Sequence, residues 1–156
     1  MHPFVLVIDD SPTVRKIIEV CLRRAGYKVI SFPDGVEAIR WLLTVEAGFP
    51  GLVFLDIAMP RMDGYAVAQY LKARPQYSHM IIVMLSARKG ILDRLKGRLA
   101  GANIHLTKPF TTQNILAVVQ AYLGCPSESN ESPIETQECT NSVTRNPLIR
   151  EVWQSL

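Results

Sequence analysis

A chain of 156 residues, 48% apolar and 20% charged, has the size and balance of one globular domain with a modest extension. No apolar run approaches the roughly 18–20 residues of a membrane span, Met1-His2-Pro3-Phe4 lacks the basic and apolar regions of a signal peptide, and the unevenly spaced Cys21, Cys125 and Cys139 make neither a disulfide framework nor a metal cluster. The formal charge of +3 hides an asymmetry: from Cys125 onward Glu128, Glu131, Glu135, Glu138 and Glu151 face only Arg145 and Arg150, so the basic surplus sits in the body.

Phe4-Val5-Leu6-Val7-Ile8 reads as a first strand buried on both faces, ending at Asp9-Asp10. Ser11-Pro12 supplies an N-cap and a proline at the first helical position. Val14, Ile17, Ile18, Cys21, Leu22 and Ala25 then recur at the spacing of one buried helix face, and Gly26 ends the helix. Tyr27 to Phe32 is a second strand. Asp34 and Glu37 suggest a capping box for a helix that turns Val36, Ile39, Leu42 and Leu43 inward. Gly48, Pro50 and Gly51 break the chain before the run Leu52-Val53-Phe54-Leu55-Asp56, the central strand.

A helix is expected from about Tyr65 to Ala73, then a buried strand from Met80 to Leu85 that ends at Ser86. Gly90 to Ala100 reads as a basic helix with a thin inward face of Ile91, Leu95 and Leu99. Arg88, Lys89, Arg94, Lys96 and Arg98 concentrate positive charge there. Without an aromatic stacking set or zinc-finger spacing, this patch suits an acidic protein better than nucleic acid. Asn103 to Leu106 is a last short strand leading to Thr107-Lys108-Pro109. Phe110 and Ile115 flank Thr111 as a hydrophobic staple around the N-cap of a helix to about Leu123.

Five β-α units with right-handed crossovers give one doubly wound parallel sheet, flavodoxin-like, with strand order 2-1-3-4-5 and helices on both faces. The expected domain covers residues 1–124. Residues 125–145, rich in Ser, Glu, Asn and Thr, read as a flexible linker. Over 146–156, Leu148, Ile149, Val152, Trp153 and Leu156 share one face of a short amphipathic helix or tail that needs something to pack on.

This topology brings Asp9, Asp10 and Asp56 to one edge, at the C-terminal ends of neighbouring strands, where open α/β sheets place their ligands. Three such carboxylates repel one another, and a hard divalent cation such as Mg²⁺ relieves them. Asp9 and Asp10 are the metal-site candidates and Asp56 the candidate nucleophile toward phosphorus. Ser86 and Lys108 end the fourth and fifth strands, placed to neutralise a phosphoryl group, and Lys108-Pro109 allows a cis peptide. Each residue also has an ordinary reading, as a turn cap, strand terminus or surface charge.

Asp9-Asp10, Asp56 with Met59-Pro60 and Asp63-Gly64, Leu85-Ser86-Ala87, and Leu106-Thr107-Lys108-Pro109-Phe110 together resemble the receiver domain of two-component response regulators, over about residues 4–123. The resemblance implies Asp56 as phospho-acceptor, and Mg²⁺ held by Asp9, Asp10, Asp56 and the backbone carbonyl of Ala58. It also implies Ser86 and Lys108 on the phosphoryl group. It makes the chain a switch that catalyses only its own phosphorylation and dephosphorylation, with a histidine kinase or histidine phosphotransfer domain as donor. The downstream protein target would dock on the surface of the fourth helix, fifth strand and fifth helix. A cytoplasmic monomer or weak dimer is expected, with neither membrane insertion nor a DNA-binding output domain. Ser86 to Arg98, continuing to Gly101, is similar to the twitching-motility branch, whose members act with chemotaxis-type kinases on type IV pili.

The sequence departs from the family at His105, where a Tyr or Phe that swings inward on activation is usual. His105 either keeps that switch role or is a partly exposed histidine without one. Other classes fit less well. A flavin carrier needs a neutral glycine-rich phosphate loop where Asp9-Asp10 stand, and a phosphohydrolase of the Asp-x-Asp type needs a second acid where Ala58 stands. A phosphorylation-independent adaptor would not need the complete set of acids, hydroxyl and lysine.

Overall fold

The computed structural model describes residues 3–46, 48–87 and 90–126. Five parallel strands, β1 (Phe4–Ile8), β2 (Val29–Phe32), β3 (Pro50–Asp56), β4 (Ile81–Ser86) and β5 (Ile104–Thr107), form one sheet in the order β2-β1-β3-β4-β5. They alternate with α1 (Pro12–Arg24), α2 (Gly35–Thr44), α3 (Gly64–Lys72), α4 (Ile91–Leu99) and α5 (Thr112–Leu123). A 3-10 turn at Pro75–Tyr77 precedes β4. The apolar runs of β1, β3 and β4 are buried because helices cover both sheet faces.

Alternate residues of each strand feed two separate cores. Val5, Val7, Leu52, Phe54, Val83 and Leu85 pack with Ile18 and Leu22 of α1 and Ile115, Val118 and Val119 of α5. Leu6, Ile8, Val53, Leu55, Ile82 and Met84 pack with Ala38 and Leu42 of α2 and Val67, Ala68 and Leu71 of α3. The period-2 alternation of side chains thus sorts one strand's residues between the two layers.

The caps follow the residue chemistry. Ser11, Asp34, Asp63 and Thr111 each accept a backbone N–H at the start of α1, α2, α3 and α5. At Thr111 the box is closed by the Asn114 side chain. α1 ends in a Schellman motif: Gly26 takes φ 86°, its N–H donates to Arg23 O, and the Tyr27 N–H donates to Leu22 O.

Three expected faces need correction. In α4, Ile91, Leu95 and Leu99 do not point inward: they are 82%, 51% and 78% exposed, and Leu92 is 72% exposed. Gly97 is the helix's buried residue, and a β-carbon there would lie 3.8 Å from Met84 Cγ and from Ala102 Cβ. The helix is seated on the sheet by its smallest side chain, so its apolar stripe faces out. Ile17 of α1 (46% exposed) and Leu43 of α2 (61% exposed) also lie on outer surfaces, with Ala38 taking the inward place in α2. Hydrophobic spacing finds a stripe but does not say which stripe is covered. The strand and helix ends shift by one or two residues from expectation, and β3 starts at Pro50, so Gly51 lies inside the strand.

Arg88, Lys89, Cys139 and the expected linker and helix from residue 127 onward lie outside the described residues. Among the described residues no helix is long and apolar enough to cross a membrane.

Candidate functional site

Strand register builds the site. Ile8 pairs with Leu55, so the next residues, Asp9 and Asp56, leave the sheet side by side. Leu85 pairs with Asp56, which brings Ser86 to the same edge, and Ser86 pairs with Thr107, one residue before Lys108. The Lys108 N–H donates to Ser86 O at 2.7 Å, and the Lys108–Pro109 peptide is cis. The Ile57 N–H donates to Leu85 O at 3.1 Å, so the bend after β3 is tied to β4.

Asp9, Asp10 and Asp56 each present a carboxylate oxygen within 4.8 Å of the others. Asp9 and Asp56 are buried, whereas Asp10 is exposed. The Lys108 ammonium lies between two of them, donating to Asp9 Oδ2 at 2.8 Å and standing 3.4 Å from Asp56 Oδ1. Asp9 Oδ1 accepts the Ser11 N–H at 2.9 Å, and the Arg15 guanidinium donates to the Asp9 carbonyl at 2.7 Å. Buried Ser86 stands at the end of β4. Ala58 lies two residues past Asp56, exposed in the bend that follows β3.

Electrostatics set the chemistry. Burial, and then the Asp9 carboxylate, push the Asp56 pKa up to about 6 against the opposing pull of Lys108. Burial works against the charge on Lys108, but the hydrogen bond and attraction of Asp9, with the Asp56 charge, hold its pKa above the ordinary value. Three carboxylates against one ammonium leave a surplus of negative charge and oxygen donors. That donor set fits a small hard dication, which takes carboxylates, a carbonyl and waters. The Asp56 carboxylate stands beside the Lys108 ammonium at an edge that the end of β4, with Ser86, also reaches, a setting that suits a ligand with several anionic oxygens.

His105 stands apart from this cluster. It is in β5 opposite Met84, and among the described residues its Nδ1 and Nε2 have no hydrogen-bond partner. Burial, and then the Arg94 charge on α4, lower its pKa below 6.5, with Asp93 opposing. The imidazole is therefore neutral at neutral pH.

Sequence reasoning missed two supports. A β-carbon at Gly64 would come within 2.4 Å of the Asp56 carbonyl oxygen and 2.9 Å of Ile57 Cα. Only glycine lets the start of α3 approach the end of β3 so closely, where the Gly64 N–H donates to Ile57 O at 3.0 Å. Arg61, at φ 65°, pairs with the Asp34 carboxylate and so ties the loop after β3 to the start of α2. The Asp63-Gly64 pair pointed toward the first; nothing local in the sequence pointed to the second.

Comparisons with known proteins agree with this geometry. The profile of the response regulator receiver domain matches residues 5–120. Protein PilG of Pseudomonas aeruginosa is 37% identical over 119 residues, 76% of this chain and 86% of that one. The chain spans about half the length of the transcriptional regulators that it also matches. Among solved structures, the chemotaxis protein CheY4 of Vibrio cholerae superposes with a TM-score of 0.72 at 28% identity, covering 79% of this chain and all of that one. The receiver domain of sensor histidine kinase PA1611 from P. aeruginosa, described with a magnesium ion coordinated in its active-site cleft, gives 0.69 at 28% identity and covers 80% of this chain and 99% of its own. The chain belongs to the response regulator receiver family of two-component signalling.

Proposed function

We propose that this receiver accepts a phosphoryl group on Asp56 and uses it to switch contacts with protein partners. The observation that carries the reading is the convergence of Asp9, Asp10 and Asp56 within 4.8 Å, with the Lys108 ammonium between Asp9 and Asp56. An Asp56 oxygen attacks phosphorus, and an O–P bond forms as the N–P bond of a donor phosphohistidine breaks. The imidazole leaves and takes its proton from solvent. The donor is a histidine kinase or a histidine phosphotransfer protein.

Asp9, Asp10, Asp56 and the Ala58 carbonyl would hold Mg²⁺, which supplies positive charge opposite the phosphoryl oxygens. Lys108, now shared between two carboxylates, turns one N–H toward the acyl phosphate. The Ser86 hydroxyl donates to the same group. Both movements pull on the ends of β4 and β5 and so bias the α4–β5–α5 surface, where the exposed row of α4 and the half-buried His105 lie. A protein target that reads this surface senses the phosphorylation state. The similarity to PilG and to twitching-motility receivers directs the search for the donor to chemotaxis-type kinases that act on type IV pili.

The test is labelling with acetyl phosphate, with and without Mg²⁺, of the wild type and Asp56→Asn, read by intact mass. A Mg²⁺-dependent phosphoryl adduct on wild type alone is the expected result. A wild type that stays unlabelled and also fails to bind beryllofluoride, beside a receiver that does both, would replace this reading with a phosphorylation-independent adaptor.

A further inference from the structure

On the outer side of the α1/α5 layer, away from the acid cluster, lies a groove of about 600 Å³. Its floor is apolar, with Ile17, Cys21 and Leu116, and Ile17 is 46% exposed. Thr112, the first residue of α5, lines the end nearer the strand C-termini, and Arg24 the opposite end. Two cations, Lys16 and Arg24, stand on its wall. We propose that residues 146–156 of this chain dock in this groove, apolar stripe down, as an intramolecular cover over α1 and α5.

Three observations choose this occupant. The chain leaves the described domain at the groove's own end: the Tyr27 hydroxyl donates to Gly124 O at 2.6 Å, and a β-carbon on Gly26 would meet the Pro126 ring at 3.3 Å. Pro126 therefore lies beside the C-terminal end of α1. The segment that follows complements the groove in charge through its linker, where Glu128, Glu131, Glu135 and Glu138 outnumber Arg145, while within 146–156 Arg150 and Glu151 balance. It also complements it in hydrophobicity, because Leu148, Ile149, Val152, Trp153 and Leu156 form one helical stripe in a stretch too short to be stable alone.

Reach and concentration allow the contact. A flexible linker of roughly 20 residues has a mean span of about 25 Å, and the 13 residues of α1 run about 20 Å. A tether of that kind holds its end at roughly millimolar effective concentration. An intrinsic affinity near 0.1 mM then keeps the groove covered about ten times more often than open. The exposed α4 row sits over the opposite core layer and is a convex helix face rather than a groove.

Cys21 is a reporter built into the floor. The full chain is alkylated with N-ethylmaleimide, and the rates at Cys21 and Cys125 are separated by peptide mass mapping. The double variant Val152→Glu/Trp153→Glu should raise the Cys21 rate about tenfold and leave Cys125 unchanged. Amide exchange of peptide 146–156 in the full chain should be slowed, should lose that protection in Ile17→Glu, and should keep it in Leu95→Glu. An unchanged Cys21 rate overturns the proposal. So does protection that is lost in Leu95→Glu but kept in Ile17→Glu, which would move the segment to α4. A Cys21 rate that rises steadily on dilution of the wild type would assign the cover to a second copy and overturn the intramolecular contact as well.

Discussion

At the scale of single residues, the raised pKa of Asp56 has a direct consequence for stability. The group titrates near 6 in the folded chain and near the ordinary aspartate value of 3.8 when unfolded. The unfolded state therefore releases this proton first, and stability falls as pH rises through that window. Asp56→Asn keeps a neutral side chain at every pH. It should stabilise the cation-free protein by on the order of 1–3 kcal/mol at neutral pH, with the gain fading below about pH 4. Adding Mg²⁺ should narrow the gap by stabilising the wild type; thermal melts across pH check all three. His105 has the opposite sign. Its folded pKa is lowered, so its contribution is complete above pH 6.5 and is lost as pH falls through the folded value. His105→Phe should therefore flatten the acid side of the melting profile while leaving the alkaline side in place. Gly64→Ala, with its β-carbon 2.4 Å from the Asp56 carbonyl, should cost about 1–3 kcal/mol and slow labelling of Asp56, as urea melts and adduct kinetics would report. The acids, Ser86 and Lys108 were legible because each ends an apolar run. The closeness of Gly64 to Asp56 and the pairing of Arg61 with Asp34 were not, because they are distances between elements.

At the scale of elements, the sequence declared its helix starts plainly. Ser11, Asp34 and Thr111 cap where side-chain chemistry says they should, and Gly26 closes α1 with the left-handed residue that its Schellman motif requires. What the sequence obscured was orientation. Ile91, Leu95 and Leu99 look like an inner face because apolar residues at helical spacing usually are one, yet Gly97 holds the sheet side of α4. Tyr77 was equally hidden: it is buried, with its hydroxyl donating to Leu42 O at 3.1 Å, a contact made across 35 positions of sequence. The exposed row predicts an unequal response to substitution. Leu95→Lys should change unfolding free energy by less than about 0.5 kcal/mol, while Leu22→Ala, in the core under α1, should lose about 2–5 kcal/mol. Urea titration of both variants decides it, and a large loss in Leu95→Lys would contradict the outward placement of that face.

At the scale of the whole molecule, the alternation of strands and helices was sufficient to give the sheet its order, since right-handed crossovers leave few alternatives. The two cores then divide the labour. β1, β3 and β4 are clamped on both sides by interdigitated side chains, so their register, and with it the meeting of Asp9 with Asp56, is fixed by the interior. α4 is held differently. A helix that rests on a glycine forfeits little buried apolar area when it lifts, and the free energy of such a sub-global opening scales with that area. The domain is thus a stiff frame carrying one loosely latched element, and its native ensemble is graded rather than uniform. A charge added at the frame's edge therefore meets less resistance from buried apolar area at α4 than at the strands.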